Sequence, residues 1–506
     1  MALENAVYLD RLPQELFDNI MCNITDHADI SRLSRTCKAI RSLTLELVFE
    51  NVSMLWDRKK MHFGVPEPER TALLREQKPC VTCTTETNSG CECPRLDLLL
   101  RSLVENPELG NFVRKVDLQC VDWNRARFGW ELTLLPPPNT DEYQALLLDA
   151  MRRTGISESR LKNEFEDGLE INKFEIVVNF FLVLCPNITS LTLGVDIVAD
   201  NPVLSLLFED YALPPENSGY LLRLQHLTDI HLGTESFKHC GGILDRCVRT
   251  EPGKQLLSAL ESYFKLFYLP ELKLAQIELP LLADGWRKKE LQLPTEANPS
   301  STMQVLLLRQ CALAPAILSN IFKLAPYITR LDYGFELYSS DKMQARDLNS
   351  ALACIKTSLK HLRFSLGMWS AGDQFEGQYL EFYDEFEYVE GYCSLKEFAV
   401  LETVRIPSCV LLGWTNSKSP DLADVLPENL VDLYLTDDFC WCDSYEKEEE
   451  EMMPILRKFV SNDDWRRTSP RLENFDVLYC DWENKDETVA LFKQNGLSCQ
   501  IKAPKD

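Results

Sequence analysis

Apolar residues recur along this chain in one short pattern: a hydrophobic position, a second three residues on, and a third two residues after that. Ten copies can be read. They are Val113-Val116-Leu118, Ile188-Leu191-Leu193, Leu227-Ile230-Leu232, Leu274-Ile277-Leu279, Met303-Leu306-Leu308, Ile328-Leu331-Tyr333, Leu359-Leu362-Phe364, Leu395-Phe398-Val400, Leu430-Leu433-Leu435 and Leu472-Phe475-Val477. Alternation at the last two positions predicts a short strand with one apolar face. From the fourth copy onward the starts lie 29, 25, 31, 36, 35 and 42 residues apart. Between strands, residues 172–184, 314–324 and 348–359 read as amphipathic or buried helices. Leu184-Cys185-Pro186 and Leu324-Ala325-Pro326 stop two of these helices just before the next strand.

This spacing resembles a leucine-rich repeat, whose period is about 20–29 residues, here stretched by insertions. Each unit would be a strand and a returning helix, burying its apolar face against its neighbours. The Asn or Cys usual three residues after the last leucine occurs only as Cys311 and Cys480, so the array is irregular. An unrelated α/β protein with many parallel strands is the alternative.

Residues 7–50 show a different, helical pattern. Leu9 and Leu12-Pro13 lead into Glu15-Leu16, Ile20 and Ile24; Ala28-Asp29-Ile30 opens a second helix carrying Leu33, Cys37 and Ile40. Pro13 suits a first helical turn and Asp29 a helix cap. The L-P-x-E-L opening, the D-I-x-x-L step and the T-C-K-x-I-R segment resemble the F-box. Ile24-Thr25-Asp26-His27 and Ile40 depart from its commonest form. A short helical unit cannot bury all of these apolar side chains alone, and an exposed apolar face marks a partner site. The alternative is a helical cap on the repeat array.

The resemblance extends loosely over most of the chain. A helix from Arg95 to Leu103, a turn at Asn106-Pro107 and a strand at Val113–Leu118 follow in the order seen in fungal F-box proteins with divergent leucine-rich repeats. The segments Arg405-Ile406-Pro407 to Gly413 and Leu426-Pro427 to Asp438 resemble their late repeats. The expected fold is therefore α/β: an F-box helical domain at 7–50, a linker with a cysteine-rich loop at 51–94, and an irregular leucine-rich-repeat solenoid at 95–502, with parallel strands and helices on the outer face. The resemblance implies the substrate-recognition subunit of a Skp–cullin–F-box ubiquitin ligase, itself non-catalytic. Leu9, Leu12, Pro13, Leu16, Ile20, Ile30, Leu33 and Cys37 would contact the Skp-family adaptor, and through it a cullin–RING scaffold. The solenoid would bind a protein substrate. A repeat scaffold acting without a cullin is the competing reading, and an α/β enzyme a third.

Composition narrows these classes. The net charge is −25, which disfavours binding to phosphate backbones, so no nucleic-acid partner is expected. The start of the chain has no basic, apolar leader, and the longest apolar run is far below the about 20 residues needed to cross a bilayer. No membrane partner is expected, and the cytoplasm or nucleus is the expected location. Phosphate-binding loops, dinucleotide fingerprints, nucleophile elbows and H-E-x-x-H are absent from the sequence, so no catalytic residue and no cofactor are assigned. His226, His231, His239 and Cys240 form a local cluster, read as surface or turn residues.

The 18 cysteines read mostly as buried thiols. Cys80, Cys83, Cys91 and Cys93 are the exception: four thiols in a polar loop could hold a structural zinc, although C-x-C leaves little room for tetrahedral geometry, and a thiol-rich loop is the alternative. Residues 373–390 read as an acidic, aromatic-rich insertion between the seventh and eighth repeats, and the acidic run 443–451 as a solvated helix or loop.

Outward positions on the strands give the candidate substrate site. Arg309, Arg330, His361 and Arg363 fall there in the fifth to seventh copies, flanked by Asp229, Glu278, Glu397, Asp432 and Asp476. Such a cluster would suit an acidic or phosphorylated segment, unless Asp332 and its neighbours neutralise it.

Overall fold

In the computed structural model, the described residues are 13–24, 27–57, 96–121, 140–153, 174–194, 197–198, 204, 224–233, 264–278, 302–311, 313–338, 342–369, 387–415, 419–438, 449–479 and 482–502. The chain forms two compact units. The first comprises residues 1–122, 130–197 and 217–227, and the second holds the rest. Both are α/β, with parallel strands joined by helical crossovers.

The first unit begins with three helices: α1 (Gln14–Cys22), α2 (His27–Ser34) and α3 (Lys38–Glu50). The expected second helix breaks at residues 35–37 into two. Cys37 caps the later one, its Sγ accepting the Ile40 N–H at 3.5 Å. Asp29 lies inside the first turn of α2 and pairs with Arg32 at 2.6 Å, so it does not cap the helix. Pro13 is the N-cap of α1, one residue before the first turn. The three helices close on Phe17, Met21, Ile30 and Ile40, with Leu33 and Leu43 packed against them.

Helix α3 runs straight into strand β1 (Asn51–Asp57), so the segment expected to be a linker starts inside the sheet. β1 pairs in parallel with β2 (Lys115–Val121), and β2 with β3 (Ser190–Leu193). The crossovers carry α4 (Leu96–Glu105), α5 (Thr140–Arg153) and α6 (Phe174–Leu184). Gly110 follows α4 where the chain passes Leu184; a Cβ there would lie 2.1 Å from the Leu184 carbonyl oxygen. Only glycine allows that approach.

In the second unit, nine described strands form a parallel ladder: β4 (Asp229–Leu232), β5 (Leu274–Ile277), β6 (Val305–Cys311), β7 (Arg330–Tyr338), β9 (His361–Trp369), β11 (Thr403–Pro407), β12 (Asp432–Thr436), β13 (Asn474–Leu478) and β14 (Ser498–Lys502). Each hydrogen-bonds the next in this order. Two short strands, β8 (Met343–Gln344) and β10 (Val389–Glu390), pair separately. Helix α7 (Pro315–Leu324) lies between β6 and β7, and α8 (Ala345–Leu352) between β7 and β9. The predicted 348–359 helix thus starts three residues early and gives way to a 3-10 turn at Ala353–Ile355. Further on come α9 (Ser408–Leu412), α10 (Leu422–Val425), α11 (Glu449–Ser461), α12 (Asp464–Thr468) and α13 (Lys485–Gln494). No helix among the described residues is long and apolar enough to cross a membrane.

The register explains the core. Leu331, Leu362, Val404, Leu433 and Phe475 stand side by side on successive strands, all buried, and Tyr333, Phe364, Ile406, Leu435 and Val477 form the next buried row. Phe475 stacks obliquely on Phe492 of α13, with centroids 4.9 Å apart. Side-chain bonds tie one turn to the next: Ser358 Oγ donates to the Pro326 carbonyl at 2.9 Å, and Ser469 Oγ to the Pro427 carbonyl at 2.7 Å.

Two sequence frames are corrected. In the fourth copy the buried residues are Leu272, Ala275 and Ile277, while Leu274 is half-buried on the opposite face. In the eighth they are Leu401, Val404 and Ile406; Leu395 and Phe398 are buried too, but in the turns before β11. Strands β1 and β14 were not among the ten copies, although Phe49-Val52-Met54 gives β1 the same spacing.

Candidate functional site

Parallel pairing puts the first residues of β7, β9, β11 and β12 in one row: Arg330, His361, Thr403 and Asp432. Two residues on, Asp332, Arg363, Arg405 and Tyr434 form a second row. Neighbouring strands are about 4.8 Å apart, so side chains along a row are within reach of a common ligand. These residues alternate with the buried leucines and therefore share the face opposite the crossover side of the core.

Arg330, His361, Arg363, Thr403, Arg405 and Tyr434, with Leu331 and Leu362, line an open pocket of about 350 Å³. Its opening is cationic and its counter-charges lie beneath. Asp332 is only 3 % exposed. Its Oδ2 is 3.3 Å from Arg309 Nε and its Oδ1 3.8 Å from Arg363 Nε. Arg309 also reaches the buried Glu278 at 3.4 Å, and Glu278 accepts from Gln276 at 2.5 Å. Asp438 is held under the sheet edge of β9 by the Leu366 N–H at 2.8 Å, and burial raises its carboxyl pKa against the lowering effects of Arg405 and Arg363. Burial lowers the Arg405 pKa, and the like charge of Arg363 lowers it further. Among the described residues, no carboxylate forms an ion pair with Arg330.

Of the four basic residues expected from sequence, the structure brings Arg330, His361 and Arg363 into one pocket. Arg309 lies one strand away, tied down by two carboxylates. Among the flanking acids, Glu397 is exposed before β11 and pairs with Lys356 at 2.7 Å, away from both rows. Asp476 is buried beside Lys502. Arg405, Thr403 and Tyr434 were not among the sequence candidates. The misplaced eighth frame hid the first two, although Leu401-Val404-Ile406 carries the same spacing and would have exposed them.

On the N-terminal helices, Pro13 is exposed at the N-cap of α1, and Leu16 and Ile20 are exposed on α1 itself, at 52 % and 39 %. A step of four places Leu16 and Ile20 on one helical face. Ile30 faces inward into the helical core, Leu33 packs beside it, and Cys37 is an exposed cap. Leu9 and Leu12 lie outside the described residues. So do Cys80, Cys83, Cys91 and Cys93, together with His239 and Cys240 and most of the two acidic stretches. Among the described residues, no group of three or more His, Cys, Asp or Glu is arranged to hold a metal.

No protein-family profile matches this chain, and no curated protein matches it in sequence.

Proposed function

We propose that this chain is the substrate-recognition subunit of a Skp–cullin–F-box ubiquitin ligase. Residues 7–50 act as the F-box, and the strand–crossover units act as an irregular leucine-rich-repeat solenoid that selects the substrate. The carrying observation is on α1: the helices bury Phe17, Met21, Ile30 and Ile40 among themselves, yet leave Leu16 and Ile20 of the L-P-x-E-L segment exposed. Exposed large apolar side chains on one helical face suit a protein partner. The residues of the second unit add support. Its pocket lies at the amino ends of parallel strands, whereas doubly wound α/β enzymes hold ligands outside the carboxyl ends. The reading is of a binding surface without catalysis, working in the cytoplasm or nucleus of a fungal cell.

The test is co-expression with a fungal Skp-family adaptor, followed by size-exclusion chromatography and addition of a cullin amino-terminal domain. A stable ternary complex, lost in Leu16→Asp/Ile20→Asp with the melting temperature unchanged, supports the reading. An adaptor complex that does not recruit cullin favours a scaffold acting without it. No adaptor complex at all reduces residues 7–50 to a helical cap.

A further inference from the structure

We propose that the seam between β9 and β11 is a proton-linked joint, latched by Asp438, whose opening parts the strands that carry Arg363 and Arg405. The joint lies within the second unit and is independent of the ligase reading.

The ladder is held least at this seam. β9 and β11 pair over three residues, His361 to Arg363 against Thr403 to Arg405, the shortest pairing among the described residues of that ladder. β9 then runs on to Trp369, matched along its whole length by β7, while β11 runs on to Pro407, matched by β12. Past Arg363 the two strands therefore belong to different ribbons. The last pair of the seam, Arg363 and Arg405, sets two like charges opposite each other.

The two ends of the seam are tied differently. At its start, the Lys360 carbonyl accepts the Glu402 N–H at 2.8 Å and the Thr403 N–H at 3.0 Å. The stretch before β11 also ties the helices of the two ribbons together. The Tyr392 carbonyl accepts from Asn349 of α8 at 3.0 Å, and the Cys393 N–H donates to the Val410 carbonyl of α9 at 2.7 Å. None of these bonds involves a titrating group. At the far end a side chain takes the place of a strand. Asp438, two residues past the end of β12, accepts the Leu366 N–H at 2.8 Å, beyond the last β9–β11 pair.

Asp438 titrates, and its surroundings set the sign. Arg363 of β9, Arg405 of β11, the Thr436 hydroxyl of β12 and the Leu366 N–H all favour its carboxylate, yet burial outweighs them and raises its pKa. Asp332 of β7 acts on the same two arginines. Opening the far end returns Asp438 to water and removes the penalty of burial. The closed joint therefore holds the proton more tightly than the open one. Its contribution to closure is full below the ordinary carboxylate value of about 3.9 and fades as pH rises through the raised value. The pocket lies across the seam, with Arg330, His361 and Arg363 on one ribbon and Thr403, Arg405 and Tyr434 on the other. A swing hinged at Lys360 and released at Leu366 moves Arg405 from Arg363 further than Thr403 from His361.

The experiment is amide hydrogen exchange on the full chain between pH 4.5 and pH 8, resolved at Leu366 and at Leu433–Leu435 of β12, with each rate corrected for intrinsic exchange at that pH. Protection of Leu366 is expected to fall at least about threefold over that range in the wild type, and protection of Leu433–Leu435 to stay constant. Asp438→Asn keeps an acceptor that does not titrate, so its Leu366 protection should be flat with pH. Asp438→Ala removes the acceptor and should lower Leu366 protection at least about tenfold at every pH, with β12 unchanged. A flat wild-type profile, a pH dependence that persists in Asp438→Asn, or a loss in Asp438→Ala shared equally by Leu433–Leu435 would each overturn the proposal. The Asn comparison decides without the Ala variant.

Discussion

Arg363 stands directly opposite Asp332 across the β7–β9 pairing, its Nε 3.8 Å from a carboxylate that solvent scarcely reaches. The same carboxylate holds Arg309 on the other side at 3.3 Å. One buried acid therefore orients two arginines, only one of which lines the pocket. Asp332→Asn keeps the shape and removes the charge. Both arginines are partly exposed, so the loss is expected to be modest, about 1–3 kcal/mol. Thermal denaturation checks it; a melting temperature equal to wild type would show that Asp332 holds neither arginine.

Asp438 supplies a pH signature. Burial raises its pKa in the folded chain, against the Leu366 N–H, Thr436, Arg405 and Arg363, which lower it. A carboxyl with a raised folded value contributes stability that is full below the unfolded value of about 3.9 and fades as pH rises through the folded value. Asn at 438 does not titrate. The melting temperature of Asp438→Asn relative to wild type should therefore become more favourable between pH 4 and pH 8. A constant difference across that range would show that Asp438 is not penalised by its surroundings.

Thiol reactivity should follow burial. Burial pushes Cys393 up to about 12, and burial with the nearby Asp476 charge does the same to Cys499. Cys185 is raised by burial as well. Alkylation of the native chain at pH 8, mapped by peptide mass spectrometry, should label exposed Cys37 and spare these three until denaturant is added. Rapid native labelling of Cys393 would contradict its placement.

Gly110→Ala should destabilise the first unit by about 2 kcal/mol, because the new methyl has a carbonyl oxygen 2.1 Å from its ideal position. The oxygen belongs to backbone, so relief requires moving the end of α6. A melting temperature equal to wild type would show that the loop and helix end part freely.

The alternating pattern made most of the strands readable, and the register shows where it failed. Leu274-Ile277-Leu279 matches the spacing better than Leu272-Ala275-Ile277, because alanine is a weak hydrophobic marker; yet Ala275 fits the packed row beside Leu306. Leu395 and Phe398 mimic a strand because the turns before β11 bury apolar residues of their own. The two eighth frames are separable by mutation. Asp at the buried Val404 should abolish folding, whereas Asp at the half-buried Val400 should cost about 1 kcal/mol or less. The pocket was half legible for the same reason: its cations on β7 and β9 followed from the frame, and Arg405 did not. Asp332 was named in the sequence as a neutralising acid, but its reach to two strands at once needs the register. On the helices, Leu16 and Ile20 were readable as apolar. That Ile30 turns inward while they remain outside depends on how three short helices close.

Strand pairing in the second unit is strictly with the next neighbour in the ladder. Strands β7 and β9 are in register along all nine residues, the longest pairing among the described residues of that ladder, whereas β14 has, among the described residues, β13 on one side only. Opening can therefore start at β14 and advance inward one strand at a time, each step breaking a single pairing. Amide hydrogen exchange should be graded accordingly, fastest across Ser498–Lys502 and slowest across Leu331–Phe335 and Leu362–Leu366. Arg330 and Arg363 stand on this β7–β9 pair, so their spacing is set by its register and survives fraying at β14.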